Sequence, residues 1–212
     1  MNGTNMGFLN AVLKWVCERL NERGINYYVV GAIGAYLDAG LPLQRAHDDV
    51  DILIEEKDVE KLAEVFKGTD FELHDRRLVS EKVLNEYGYT DGEHEVYAQY
   101  KYGDFHIGFF LLRFGKDDYT IVEYFREGGV QKRLERTLPR RFFATQYNDE
   151  PVEFSGVKLK TARKEMIYKN KLVMGREKDI FDLEKLESTV EAEKLEKLKG
   201  LSKYRKTVVV EL

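Results

Sequence analysis

Gln44-Arg45-Ala46-His47-Asp48-Asp49-Val50-Asp51-Ile52-Leu53-Ile54 is a polar stretch that runs straight into an apolar, β-branched one. Val50 to Ile54 has the composition of a strand. Alternate side chains of a strand share a face, so Asp49 and Asp51 are expected to point the same way. Two neighbouring carboxylates at the start of an apolar strand are costly to desolvate unless protons or a cation intervene. Mg²⁺ takes one or two carboxylates together with phosphate oxygens and water, so the pair suits a metal–nucleotide site. A bare Asp-x-Asp is also common in solvated turns, and its surroundings decide between the two.

Upstream, Asn26 to Val30 (NYYVV) is a short β-rich run that ends at Gly31. A helix is expected from there through Ala39, closed by Gly40 and Pro42. A strand that turns at a glycine into a helix presents backbone N–H groups, a favourable place for phosphate. The chain opens with an amphipathic helix over Met6 to Arg23, with Leu9, Val12, Leu13, Val16 and Leu20 on one stripe and Gly24 as its stop. Cys17 adjoins that stripe and reads as a buried, inert thiol.

Downstream, Asp58 is expected to cap a helix reaching Lys67, with Val59, Leu62, Ala63 and Phe66 on one face. Phe71 to His74 reads as a strand. Residues 76 to 93 show no clean period and end in a turn, Tyr89 to Gly92. Glu95 to Tyr102 and Phe105 to Arg113 read as a hairpin around Gly103-Asp104. The basic run Lys132-Arg133, Arg136, Arg140-Arg141, followed by Phe142 and Phe143, reads as a solvated helix end, with contact to RNA or a phosphate as the alternative. Lys160 to Met174 and Lys178 to Leu198 are charged and helix-favouring, and Thr207 to Val210 form an edge strand or a loose end. The expected fold class is α+β, a mixed sheet with flanking helices over residues 1–155, followed by a small helical C-terminal segment over 156–212.

Composition narrows the function. At 212 residues and 43% apolar, the chain can bury a full core. No apolar run approaches the ~18 residues of a membrane span. The first residues, Met1 to Gly7, lack the layout of a secretory signal, and one cysteine forms no internal disulfide, which together suggest a cytoplasmic setting. A net charge of −4 argues against a general nucleic-acid coat. His47, His74, His94 and His106 show no zinc spacing, and no Gly-x-Ser-x-Gly nucleophile motif occurs.

Val30-Gly31-Ala32-Ile33-Gly34-Ala35, followed by Arg45-x-His47-x-Asp49-Val50-Asp51, resembles the DNA polymerase β-type nucleotidyltransferase superfamily. The wording is most similar to its lincosamide and aminoglycoside nucleotidyltransferase branch. The resemblance implies that Gly31 and Ala32 contact a nucleoside triphosphate, with ATP the expected one. It also implies that Asp49 and Asp51 bind one or two Mg²⁺ ions, and that Arg45 helps orient the nucleotide. Ala32 departs from the family's usual Gly or Ser, so a hydroxyl contact is lost while the backbone N–H remains.

Glu165, Lys171 and Arg176-Glu177-Lys178-Asp179-Ile-Phe-Asp182-Leu183 resemble the family's helical segment, which implies that Lys171 and Lys178 reach the phosphates as point charges. Relatives usually add a third carboxylate on a neighbouring strand as base or metal ligand. Asp104, in Lys101-Tyr-Gly-Asp104-Phe-His106, is the candidate. In the alternative register Gly108 stands at that column and no carboxylate does. The implied activity is Mg²⁺-dependent transfer of a nucleoside monophosphate from a nucleoside triphosphate to an acceptor hydroxyl on a small molecule, a protein or an RNA. A catalytically weak nucleotide- or partner-binding module of the same fold, such as a toxin–antitoxin component, is the alternative.

Overall fold

The structure is a computed structural model, and it describes residues 6–43, 47–79, 82–84, 90–91 and 94–212. The apolar stripe of the first segment winds α1 (Met6–Glu22) and buries Leu9, Leu13, Val16, Cys17 and Leu20 completely. There follow β1 (Tyr27–Val29), α2 (Gly31–Asp38), β2 (Asp49–Glu55), a 3₁₀ segment (Glu56–Lys61), α3 (Leu62–Phe66) and β3 (Phe71–Asp75). Two short strands, β4 (Val83–Leu84) and β5 (Thr90–Asp91), pair with each other. Then come β6 (Val96–Tyr100), β7 (His106–Phe114), β8 (Asp118–Glu127), β9 (Val130–Pro139), α4 (Phe143–Gln146), β10 (Tyr147–Phe154) and β11 (Val157–Ala162). The chain ends with α5 (Lys164–Met174), α6 (Glu177–Glu187), α7 (Ala192–Lys199) and β12 (Lys206–Glu211).

A ten-stranded mixed sheet organises these elements in the order β10-β11-β1-β2-β7-β8-β9-β12, with β6 joined to β7 and β3 to β6. β1 runs parallel to β11 and β2 parallel to β7; the other pairs are antiparallel. The α+β class is as expected. The period-two alternation of Asp49-Val50-Asp51-Ile52-Leu53-Ile54 sorts β2 between two cores. Val50, Ile52 and Ile54 face the cluster built with α1 and α3, while Leu53 packs with residues of α2, α5 and α7 on the opposite face. Asp49 and Asp51 therefore lie on the side that carries the C-terminal helices.

Several expected boundaries move. The helix from Asp58 is a 3₁₀ segment followed by the five residues of α3. Asp58 itself is buried and paired with Lys61 at 2.6 Å. The basic run Lys132 to Arg141 is not a helix end: its first part is β9, hairpinned to β8 through Gly128-Gly129, and only Arg140–Phe142 form a 3₁₀ turn. Leu134 and Leu138 are buried, and the basic residues that share their face are held by acidic partners, Lys132 by Glu127 and Arg136 by Glu123. Lys160 to Ala162 belong to β11, and α5 starts only after Arg163. The stretch Lys178 to Leu198 is broken into α6 and α7. The expected division at 155/156 falls inside the β10–β11 hairpin, so β11 and β12 from the C-terminal segment are strands of the sheet. Among the described residues no helix is long and apolar enough to cross a membrane.

Candidate functional site

β2 lies between β1 and β7, so the carboxylates at its start are held from both sides. The N–H of Val30, the residue after β1, donates to the Asp51 carbonyl at 2.9 Å. The chain then turns at Gly31, whose φ is +63°, and enters α2. A Cβ at Gly31 would overlap Oδ2 of Asp51, and the left-handed backbone disfavours any L side chain there. Glycine at this position is thus required twice, by conformation and by the closeness of Asp51. No side chain caps the first turn of α2, so its leading N–H groups, that of the buried Ala32 among them, stand beside the carboxylate pair.

The parallel register with β7 sets His106 level with Asp49 and Gly108 level with Asp51. The position where a third carboxylate was sought is therefore a glycine. Asp104, expected as the third carboxylate, stands in the exposed turn before β7 and not level with Asp51. The turn prevails because the Gln99 amide anchors it, donating to the carbonyls of Gly103 at 2.8 Å and Phe105 at 3.3 Å.

The space over Gly108 belongs to His94. A Cβ on Gly108 would overlap the imidazole ring, whose Nε2 lies 2.9 Å from Oδ1 of Asp51. The ring packs edge-on against Phe110 with centroids 4.5 Å apart. Its Nδ1 is buried and has no hydrogen-bond partner among the described residues. The sequence reading weighed His94 only as a zinc ligand and missed this role, because nothing in the irregular stretch before β6 signals its approach to Asp51.

Lys171 does not reach toward the carboxylate pair. Its ammonium donates to Asp179 Oδ1 at 2.7 Å and lies 2.9 Å from Asp182 Oδ2. The lysine side chain is 8% exposed and both aspartates are fully buried. Lys171, expected at the phosphates, thus sits in a buried ion-pair network with these two carboxylates. Tyr36 of α2 donates its hydroxyl to Asp182 Oδ1 at 3.0 Å, and Arg176 grips Asp179 through Nε at 2.7 Å and Nη2 at 3.1 Å. Burial would raise the Asp179 carboxyl, but the hydrogen bonds from Arg176 and Lys171 outweigh it and hold it at about 2. The Lys-Asp-Asp constellation is a clamp that fastens α5 and α6 to α2, and so fixes the glycine turn.

Among the described residues, Arg176, half exposed, is a cation that senses the site. Its charge is favoured first by Asp179, and the carboxylates of Asp51 and Asp49 add to the same effect. Arg45 lies outside the described residues, as does the side chain of Lys178 in α6. His47, just before β2, is buried. Cys17 is buried in α1 as expected, and burial pushes its thiol up to about 12. Among the described residues no group of three or more His, Cys, Asp or Glu converges as a metal cage. What remains is a pair of oxygen donors, Asp49 and Asp51, which suits a cation that completes its shell with phosphate and water.

Compared by sequence, the chain matches no protein-family model and no curated protein. Compared by structure, it is similar to the antibiotic-resistance factor ANT(2'')-Ia. One solution structure of that protein superposes with a TM-score of 0.57 at 13% identity, covering 92% of this chain and 91% of that one. A crystal structure of ANT(2'')-Ia in complex with adenylyl-2''-tobramycin gives a TM-score of 0.59 at 13% identity, covering 91% and 95%. The lincosamide antibiotic adenylyltransferase LnuA, bound to lincomycin, gives 0.52 at 15% identity, covering 89% and 100%. Nearly the whole of each chain is matched, so both the sheet and the C-terminal helices take part, and the protein has the nucleotidyltransferase fold of these aminoglycoside and lincosamide enzymes.

Proposed function

We propose that this protein is an Mg²⁺-dependent nucleotidyltransferase that moves a nucleoside monophosphate, with ATP as donor, to the hydroxyl of a small-molecule acceptor. The observation that carries the reading is the closeness of Gly31 to Asp51, since a glycine turn at an uncapped helix start then adjoins a carboxylate pair. Each feature alone is ordinary; together, backbone N–H groups suited to an anion beside carboxylate oxygens suited to a cation support this reading. The fold neighbours act in the same sense, one bound to an adenylylated aminoglycoside and another to a lincosamide.

In this reading Asp49 and Asp51 hold the cation, and Gly31 and Ala32 receive the triphosphate on their backbone N–H groups. When bound, Mg²⁺ neutralises phosphate charge and aligns in-line attack at the α-phosphorus. Arg176 adds positive charge beside the same face, and Arg45 and Lys178 are further candidates. The Tyr36–Asp182–Lys171–Asp179 clamp keeps α2 in place, so the N–H groups need no reorganisation on binding. His94 holds the Oδ1 side of Asp51 and fixes the orientation of that carboxylate.

A second reading, a nucleotide-binding module with weak turnover, is favoured by one observation: Gly108 stands level with Asp51 and Asp104 lies in an exposed turn. One experiment separates the two. Purified protein with Mg²⁺ and α-labelled ATP is offered tobramycin, lincomycin, tRNA and bulk protein, and ATP binding is followed separately by calorimetry. The proposal expects label on a small-molecule acceptor, abolished by Asp49→Ala. Binding without labelling supports the module, and the absence of both refutes the site.

A further inference from the structure

The basic run in and after β9 splits into two groups. Lys132, Arg133 and Arg136 are each held by a carboxylate, those of Glu127, Glu135 and Glu123 in turn. Arg140 and Arg141, in the 3₁₀ turn that follows, are exposed and form no ion pair among the described residues. The same holds for Lys203 and Arg205, in and just after the 3₁₀ segment Gly200–Tyr204, and for Lys169 of α5. The chain as a whole is acidic, at −4, so a gathering of unpaired cations is a local departure from its charge balance.

Aromatic contacts bring these segments to one corner. The Phe142 and Tyr204 rings lie 4.9 Å apart and 35° from parallel, and Tyr204 is 41% exposed. The Arg141 guanidinium stands 4.9 Å from the first ring and 5.8 Å from the second, with the Lys203 ammonium 5.1 Å from Tyr204. Arg205, the next residue, turns inward, and its charge acts on the buried Tyr119 and Tyr147. Its Nε is buried and has no hydrogen-bond partner among the described residues, which costs free energy until an acceptor meets it. Lys169 lies within the field of Arg205. Burial first, and this like charge second, push its ammonium below the ordinary value. Two cations held together in a partly buried setting without a carboxylate form a place for an anion.

We infer that this corner binds a single-stranded nucleic acid, with phosphates on Arg205, Lys169 and Arg141 and a base against the Tyr204 ring. The number of cations and the presence of the ring select this ligand together. One phosphate occupies about two or three cations, so a group this large, spread over separate segments, fits successive phosphates of a strand. The exposed ring adds a stacking surface that an unpaired base can reach and a base within a duplex cannot. A phosphorylated protein or an anionic bilayer would use the cations and leave the ring idle. Arg141 and Lys203, now beside the rings, are placed to pass to phosphates as a base takes the ring face. β9 is separated from β2 by β8 and β7, so the corner does not draw on Asp49 and Asp51.

Fluorescence anisotropy tests this, with the full chain titrated into a labelled oligouridylate of about 12 nucleotides at several salt concentrations. With about three to four phosphate contacts, log affinity should fall against log salt with a slope of about −2 to −3. Arg205→Gln with Lys169→Gln should weaken binding at least about tenfold and flatten that slope by about 1.4. Tyr204→Ala should weaken binding about tenfold with the slope unchanged, and Tyr204→Phe should restore it. Lys197→Gln, which removes an exposed lysine already paired with Glu193, should change neither. Oligothymidylate in a parallel titration tells DNA from RNA, and binding of either strand satisfies the inference. No binding at low salt overturns it. So does equal binding of a duplex of the same length, or displacement of the strand by inorganic phosphate or anionic phospholipid vesicles at equal phosphate concentration. An affinity that neither the cation pair nor Tyr204→Ala alters overturns it as well. If the Arg205 variant unfolds, Arg141→Gln with Lys203→Gln, both exposed, takes its place with the same expected change of slope.

Discussion

Lys171→Met is the substitution that separates a clamp from a phosphate contact. The ammonium lies 2.7 Å from Asp179 and 2.9 Å from Asp182, and both carboxylates are fully buried. Removing the cation leaves two buried negative charges partly compensated, Asp179 by Arg176 and Asp182 by Tyr36. Breaking one partner out of a buried ionic network costs about 3–5 kcal/mol. At about 2–4 °C per kcal/mol for a chain of this size, the melting temperature should fall by roughly 6–20 °C. Urea unfolding at neutral pH measures the loss directly, with the m-value as a check that the transition remains cooperative. Lys171→Met combined with Asp179→Asn and Asp182→Asn removes the orphaned charges and should recover much of the stability. Affinity for Mg·ATP, measured well below the transition, should change by less than about threefold, because Lys171 is occupied elsewhere. A stability loss under ~1 kcal/mol together with a tenfold loss of affinity, worth about 1.4 kcal/mol, would falsify the clamp and return Lys171 to the phosphates.

The same network sets an acid limit. The Asp179 carboxyl sits at about 2 against an ordinary 3.8, so its contribution is complete above the ordinary value and is lost as pH falls through the lower one. The urea midpoint should therefore drop between about pH 5 and pH 2, and Asp179→Asn should flatten that part of the curve; an unchanged slope in the variant would remove Asp179 as its source. Gly31→Ala forces a side chain onto Asp51 at a left-handed backbone, which costs about 1–2 kcal/mol in conformation alone. Calorimetry should show Mg·ATP binding weakened at least tenfold in that variant, and wild-type affinity would show that the turn does not adjoin the nucleotide. Gly108→Asp collides with His94, so it should be strongly destabilising alone and much less so with His94→Ala. Additive unfolding free energies in that double-mutant cycle would mean that the two positions do not share a space. Cys17 should resist an aromatic disulfide reagent in native protein and react fully in denaturant, and rapid native labelling would contradict its burial.

The two halves of the β2 motif were legible for different reasons. Asp49 and Asp51 on one face followed from period two, and the glycine turn followed from a β-rich run that stops at Gly31 and resumes as helix. Both are local patterns, set by residues a few positions apart. The hairpin reading of Tyr102 to Asp104 was available on the same grounds, but whether Asp104 or Gly108 meets Asp51 depends on the β2–β7 register, which joins residues far apart in sequence. The same limit hid β9 under a basic run: the buried Leu134 and Leu138 stand four residues apart, with Lys132 and Arg136 on the same face, so no period-two pattern shows in the sequence.

Sequence alone therefore determined the carboxylate pair, the glycine turn, the first helix with its inert thiol and the α+β class. Tertiary structure alone decided where Lys171 and Arg176 of the C-terminal motif sit. Lys171 and Arg176 look alike as basic residues on a helical segment, yet one is sunk between Asp179 and Asp182 while the other stands within the field of Asp49 and Asp51. The difference arises from where α5 and α6 dock on α2, and docking depends on many weak contacts between distant elements that no local spacing encodes. His94 shows the same cause from the other side. A glycine in β7 leaves room for one ring, and only the folded chain brings that ring to Asp51.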